Sequence, residues 1–146
     1  MAASPQQLAD AMGVLTSHLN RCGSPDLIRF MADVDLSFTQ VKMLMLLEDK
    51  GEQSVKDVAT ALNLSLPAVS RAIDGLAQRG LVDRREAESD RRMKIVSLRP
   101  GGQQIGTAIA ASRRATYEEF AAGLSEEERS ALHAALLPIV ERIRRS

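Results

Sequence analysis

The stretch SLPAVSRAIDGLAQRGLVDRREAESDRRMKIVSL, residues 65–98, changes its apolar period halfway along. In its first half the apolar residues recur every three or four positions, which is typical of one face of a helix. In its second half two segments, Leu81–Arg85 and Met93–Leu98, alternate apolar and polar residues as strands do. The polar residues EAESD at 86–90 separate them. The stretch therefore predicts an amphipathic helix followed by a β-hairpin with a long loop.

Two further helices in front of this stretch are indicated by their capping residues. Ser37 with Gln40, and Ser54 with Asp57, have the spacing of a capping box. The first of these helices is the most hydrophobic part of the chain and ends near Gly51. The second is short, and the pattern predicts that both pack against the helix of the opening stretch.

The helix of the opening stretch begins after Ser65, has Pro67 in its first turn and ends at Gly80. Three helices of about thirteen, nine and fourteen residues thus follow one another across short turns. That spacing is typical of a helix-turn-helix, and the hairpin behind it makes the predicted fold a winged helix. The fold class is therefore mainly α with a small β-hairpin wing.

Helices are also predicted on both sides of the winged helix. The Ser-Pro pair at 4–5 is a start signal for a first helix, and a short helix from Asp26 to about Ala32 follows a break. Two long helices come last, from Pro100 to about Ala122 and from Glu126 to Arg145. The apolar positions of the last helix have no predicted partner in the winged helix, so we expect the chain ends to form a homodimer. These positions are Leu132, Leu136, Leu137, Ile139, Val140 and Ile143.

Composition and charge narrow the class of protein. A chain of 146 residues with 45% hydrophobic residues suits one compact domain. The 19 basic and 19 acidic residues give zero net charge, so binding to a polyanion has to rest on local charge. The single cysteine excludes an internal disulfide and a cysteine-cluster zinc site. Because no apolar run is long enough to cross a membrane, we expect a cytoplasmic protein. We also expect no metal or cofactor.

Four segments together resemble the MarR family of bacterial transcription regulators, over roughly residues 37 to 140. The wing signature, Asp-Arg-Arg at 90–92 followed by a strand and then a glycine, is fairly specific. Arg99 departs from the pattern, because the family usually has a threonine after the strand. The segments are LSFTQVKMLMLL, SVKDVATALNLSLPAVSRAIDGLAQRGLVDRR, SDRRMKIVSLRPGG and LSEEERSALHAAL.

The resemblance implies a dimeric winged-helix repressor or activator whose DNA affinity is lowered by a small-molecule or oxidant signal. It implies one domain, 1–146, with a DNA-binding winged-helix lobe at 37–99 and dimerisation helices in a lobe formed by 1–36 and 100–146. Two rivals remain open: a winged helix used only for dimerisation, and a protein-interaction module without DNA binding. A basic wing counts against the first, and the second would show no salt-dependent affinity for DNA.

The exposed face of the predicted recognition helix supplies the candidates for reading base edges, since residues near its start reach the bases first. Serine hydroxyls and Arg71 can bond to bases or phosphates, whereas proline and alanine offer only apolar contact. The alternative is that these are ordinary exposed residues of a surface helix. The candidates are Ser65, Pro67, Ala68, Ser70 and Arg71.

The predicted hairpin concentrates positive charge. Seven basic and four acidic residues lie between Arg79 and Arg99, an excess of three positive charges. Arginine suits a narrow minor groove, and Arg92 is the candidate for insertion there. By resemblance, Asp90 orients the wing arginine through a salt bridge. Arg84, Arg91 and Lys94 are candidates for phosphate contacts, unless the hairpin is simply a solvated one whose acids neutralise its bases.

The amino-acid sequence contains no phosphate loop, zinc-protease motif or nucleophile elbow, so we expect no catalysis. The resemblance places an effector cleft near Met12, His18, Met43 and Leu47, for which a small aromatic acid or phenol is the generic ligand. Cys22 raises the alternative of an oxidant sensor, although no second cysteine could resolve its sulfenic acid within the chain.

Overall fold

The computed structural model describes residues 2–22, 29 and 32–145. It has six long or medium helices and three strands in these parts of the chain, and residues 32–34 are also helical. The predicted helix from Asp26 to about Ala32 falls mostly outside the described residues. The elements are α1 (Pro5–Arg21), α2 (Phe38–Lys50), β1 (Gln53–Ser54), α3 (Val55–Leu62), α4 (Leu66–Gln78), β2 (Val82–Glu86), β3 (Lys94–Leu98), α5 (Pro100–Gly123) and α6 (Glu126–Arg145).

The chain divides into two compact units. One, the winged-helix unit, is Ser24–Ser112, and the other, the terminal unit, consists of Met1–Gly23 and Arg113–Ser146. The fold class predicted from the sequence is confirmed, because the first unit is a helix-turn-helix followed by a small antiparallel sheet.

The sheet has the strand order β1-β3-β2, with both pairs antiparallel. Relative to the prediction, β2 is shifted by one residue toward the C-terminus and β3 begins one residue later. The observed register pairs Val82 with Leu98 and Glu86 with Lys94. Strand β1 was not predicted, since two residues are too few to show an alternating period. It forms only because Ser54 lies opposite Ile95 in the folded chain.

The predicted caps hold the helices of this unit. Ser37 and Gln40 form a full capping box at α2, and Ser54 accepts a hydrogen bond from the Asp57 amide at 3.0 Å at α3. The turn between α3 and α4 is made by Asn63, whose φ of 52° lies in the left-handed region that asparagine tolerates. A three-residue connection of this kind places α4 across α3 as in a helix-turn-helix.

The core of the winged-helix unit lies between its helices and the sheet. On α4 the residues Val69, Ile73 and Leu76 are fully buried, as their spacing predicts, so the opposite face of this helix is exposed. Fully buried partners come from the other elements. They include Met43, Leu44, Val58 and Val96.

In the terminal unit, none of the residues of α1 or α6 is buried. Helix α6 begins with a capping box, in which Ser125 donates to Glu128 and accepts from its amide. The hydrogen bond from the Ser125 backbone amide, and to a lesser extent the one with its hydroxyl, hold the pKa of Glu128 below its usual value. Among residues 2–22, 29 and 32–145, no helix combines the length and apolarity that crossing a membrane requires.

Candidate nucleic-acid interface

A groove of about 620 Å³ opens on the winged-helix unit between the start of α3, the start of α4 and the hairpin. It brings together five of the ten residues predicted to serve DNA binding: Ser70 from α4, Arg84 from β2, Asp90 and Arg92 from the hairpin tip and Lys94 from β3. The rest of the groove lining is partly apolar and partly polar. It consists of Ser54, Val55, Lys56, Asp57, Leu66 and Met93.

The other predicted contacts on α4 lie on its outer face. Ser65, Pro67 and Arg71 are exposed, and Ala68 is partly exposed. The hydroxyl of Ser65 accepts a hydrogen bond from the Ala68 amide at 3.3 Å, so this side chain caps the helix. The burial of the inner face therefore leaves a short row of small residues and one arginine toward solvent.

The hairpin tip is shaped by Asp90. Its carboxylate accepts a hydrogen bond from the backbone amide of Arg92 at 2.9 Å, and its carbonyl accepts one from the Met93 amide at 3.0 Å. Asp90 thus holds the main chain at Arg92, whereas the resemblance implied a salt bridge to the guanidinium. The guanidinium itself is exposed and faces the groove.

Four of the basic residues on the hairpin are bound to acids. Arg84 pairs with Asp74 at 3.1 Å, Lys94 with Glu86 at 2.9 Å and Arg99 with Asp83 at 3.4 Å. Arg85 reaches both oxygens of Glu52, at 2.8 and 2.9 Å. Arg79, at the end of α4, instead donates to the backbone carbonyls of Val34 and Asp35, so it ties the end of α4 to the segment before α2.

The remaining cations of this surface are Arg71, Arg91, Arg92 and Lys56, and none has an acidic partner at ion-pair distance within the described chain. Lys56 was missed by the sequence reasoning, because a single lysine in the first turn of a helix has no distinguishing pattern. Only the fold brings it into the groove beside Arg92. The excess of positive charge is therefore concentrated in a few uncompensated side chains.

Comparison with known proteins identifies the family. The MarR family model matches residues 36–94. An uncharacterised HTH-type transcriptional regulator of Bacillus subtilis, YfiV, is 32% identical over 125 residues, which are 86% of this chain and 75% of the relative. The chain belongs to the MarR family. It is a transcription regulator of that family with a winged helix-turn-helix.

Solved structures share the fold of this MarR chain. Rv1404 from Mycobacterium tuberculosis has a TM-score of 0.78 and 22% identity, covering 97% of this chain and 95% of that one. FabT from Streptococcus pneumoniae, solved in complex with DNA, has a TM-score of 0.71 and 20% identity, covering 94% and 97%.

The predicted effector residues of this MarR chain are divided between its two units. Met43 and Leu47 are 0% and 2% exposed in the core of the winged-helix unit, whereas Met12 is 58% exposed on α1. His18 lines a cavity of about 320 Å³ within the terminal unit. Its other lining residues are Cys22, Thr116, Glu119, Phe120, Gly123 and Leu124.

Inside this cavity Cys22 and His18 are partners. The thiol sulfur lies 3.6 Å from His18 Nε2, and the imidazole packs edge-on against Phe120 with ring centroids 6.1 Å apart. Both residues were singled out from the sequence, but for separate roles. Their approach could have been anticipated, since positions 18 and 22 are one helical turn apart.

Proposed function

We propose that this MarR-family chain is a sequence-specific DNA-binding homodimer that represses transcription at a palindromic operator and is released by a small-molecule signal. The observation that carries the proposal is the groove in which Ser70 of the helix and Arg92 of the wing meet, with Lys56 beside them. A helix and a hairpin tip that open onto one groove suit a major groove and its neighbouring minor groove.

In this proposal the outer face of α4 reads base edges in the major groove. The small side chains at its start allow a close approach to the bases, and the exposed Arg71 is long enough to reach a guanine edge or a phosphate. The serine hydroxyls bond to bases or phosphates. The reading residues are Ser65, Pro67, Ala68, Ser70 and Arg71.

The wing supplies charge and shape recognition. Arg92 enters the minor groove, and Asp90 assists by holding the backbone at Arg92. Arg91, which has no acidic partner in the described chain, contacts a phosphate. Arg84 and Lys94 reach phosphates only where their present acids release them.

The homodimer is supported by the apolar side chains that the terminal unit leaves exposed. Leu8 and Met12 on α1 are 57% and 58% exposed, and Leu136 and Ile143 on α6 are 46% and 66% exposed. An exposed apolar stripe of this extent is unfavourable in water and favours association. A second copy of the chain, related by a two-fold axis, covers it and presents two recognition helices to a palindromic site.

The signal acts on the terminal unit. The cavity lined by His18 and Phe120 has an aromatic wall and the polar side chains of Thr116 and Glu119, which suits a small phenol better than an aromatic acid, whose carboxylate Glu119 would repel. A second candidate for the signal is an oxidant, because the Cys22 thiol opens onto the same cavity with its sulfur 3.6 Å from His18 Nε2. Peroxide should then release wild-type protein from its operator and leave a Cys22→Ser protein bound.

The test is a titration of the purified protein against duplex DNA from upstream of its own gene and against a shuffled duplex of equal composition, at several salt concentrations. The upstream DNA should bind about 4 kcal/mol more tightly, and its affinity should fall steeply with salt. Equal binding to both duplexes would refute the proposal and favour a winged helix used only for assembly.

A further inference from the structure

One acid lies on the exposed face of the recognition helix, next to the wing. Asp74 is one turn beyond Ser70 and Arg71 on α4, and its carboxylate Oδ1 accepts from Nη1 of Arg84 at 3.1 Å. Neither partner is deeply buried, since the side chains are 58% and 36% exposed. The pair is a direct link between the element proposed to read bases and the strand that leads to the wing tip.

We propose that Asp74 is a specificity-determining positioning residue, which holds Arg84 against α4 and withholds it from DNA phosphates. The inference rests on the proposed function. It assigns to an acid on the DNA-facing surface a role that its charge alone would not suggest, because an acid there repels the phosphate backbone.

The physical reason is that phosphate contacts contribute differently to the affinity for random DNA and to the discrimination between sequences. Phosphate contacts supply nearly all of the binding to random DNA, whereas discrimination is the ratio of specific to random binding. Arg84 lines the groove and is therefore within the region where a phosphate backbone would run. Every cation kept away from phosphates lowers random binding, so an acid that retains Arg84 increases the ratio.

The Asp74–Arg84 ion pair also fixes the position of the hairpin relative to the recognition helix. Arg84 lies in the middle of β2, opposite Val96 of β3, so its attachment to Asp74 fixes the hairpin relative to α4. An exposed ion pair is weak, and phosphates can compete for its arginine. Removal of the carboxylate therefore frees Arg84 in the absence of DNA and loosens the alignment of Arg92 with the recognition helix.

The neighbouring ion pairs provide a matched control. Asp83 on β2 binds Arg99 at 3.4 Å, and neither residue lines the groove. Asp83→Asn thus changes the net charge by the same amount, on the same hairpin, without releasing a cation into the groove. Asp74→Glu keeps the carboxylate and can re-form the bond to Arg84.

The experiment measures the affinity of wild type, Asp74→Asn, Asp74→Glu and Asp83→Asn for the upstream duplex and the shuffled duplex across a salt series. For Asp74→Asn we expect shuffled DNA to bind about two- to fivefold more tightly, with the slope of log K against log salt steeper by about 0.9. The ratio of specific to shuffled binding should fall. Asp83→Asn should show a smaller rise in affinity and the wild-type slope, and Asp74→Glu should recover the wild-type ratio.

Two results would overturn the proposal. If Asp74→Asn matches Asp83→Asn in slope and affinity, Arg84 is not being withheld from phosphates. If Asp74→Asn loses affinity for both duplexes equally, Asp74 only supports the fold. Failure of the proposed function is a separate outcome, because wild-type protein would then fail to distinguish the two duplexes at all.

Discussion

Arg84 and Arg85 are neighbours on β2, yet their guanidinium groups are bound to different acids, Asp74 and Glu52. Arg92, a few residues farther along the hairpin, has no acidic partner in the described chain. A paired arginine has to leave its carboxylate before it can bind a phosphate, whereas an unpaired one does not. We therefore expect residues of equal charge on this hairpin to differ in what they add to DNA affinity.

Arg92→Ala is expected to weaken binding to operator and to random DNA, and to reduce the slope of log K against log salt by about 0.9, because one contact in the minor groove is lost. Arg85→Ala is the matched control, since Arg85 belongs to the same hairpin but is bound to both oxygens of Glu52. It should leave the slope nearly unchanged. Titrations at three or more salt concentrations measure both quantities, and an Arg92→Ala protein that binds like wild type would refute the wing assignment.

Local patterns in the sequence identified five of the residues that line the groove, but not how the charges among them are compensated. Ser70 and Arg92 were found because helical spacing and the Asp-Arg-Arg signature depend only on nearby residues. The acids that bind Arg84 and Arg85 lie 10 and 33 residues away in the chain, so no local pattern reveals them. Whether the individual side chains touch DNA stays a prediction, which the variants above address.

Among the secondary-structure elements, the close approach of α5 to the start of the hairpin depends on one glycine. A Cβ built at Gly102 would overlap the carbonyl oxygen of Leu81 and press on a methyl group of Leu98. The same Leu81 carbonyl accepts a hydrogen bond from the Arg99 amide at 3.0 Å. Gly102 is thus required by packing, and it lets the first turn of α5 lie against the backbone that leads into β2.

Gly102→Ala is expected to lower the free energy of unfolding by about 1–3 kcal/mol, because the methyl group meets backbone atoms that cannot move aside easily. Gly13→Ala in α1 is the control, since a Cβ there meets nothing within 4 Å and alanine favours a helix interior. Urea denaturation of both variants measures the change. Equal or greater stability of Gly102→Ala would mean that α5 can shift away from Leu81 at little cost.

Prediction of the elements succeeded where the signal was local. Ser37, Ser54 and Ser65 start their helices because a capping hydroxyl and the amide it binds are three residues apart. Strand β1 was missed because its two residues gain their extended conformation only from pairing with β3. The strand limits were wrong by one residue for the same reason, since the register of a hairpin decides where pairing ends.

For the molecule as a whole, a net charge of zero hides an uneven distribution. Four basic residues on or beside the hairpin pair with acids, whereas Arg71, Arg91, Arg92 and Lys56 have no acidic partner in the described chain. These four cations are expected to supply most of the electrostatic contacts to DNA. Salt dependence should therefore be that of a small number of contacts per subunit, doubled in a dimer. The division of the chain into DNA-binding and dimerisation lobes stays a prediction, because the two compact units record packing and not their roles.

The dimer can be tested on α6, whose exposed stripe includes Leu132, Leu136 and Ile143. A lysine at Leu136 would place a charge in the apolar interface, so we expect Leu136→Lys to raise the dimer dissociation constant at least tenfold, about 1.4 kcal/mol. Ala134→Lys is the control, because position 134 lies on the opposite face of the same helix.

Sedimentation equilibrium measures the association, and footprinting on a palindrome with half-sites about one helical turn apart measures its consequence for DNA binding. Loss of the dimer should leave weak, independent protection of each half-site, because the two recognition helices are no longer held together. If Leu136→Lys remains dimeric while Ala134→Lys dissociates, the interface lies on the other face of α6.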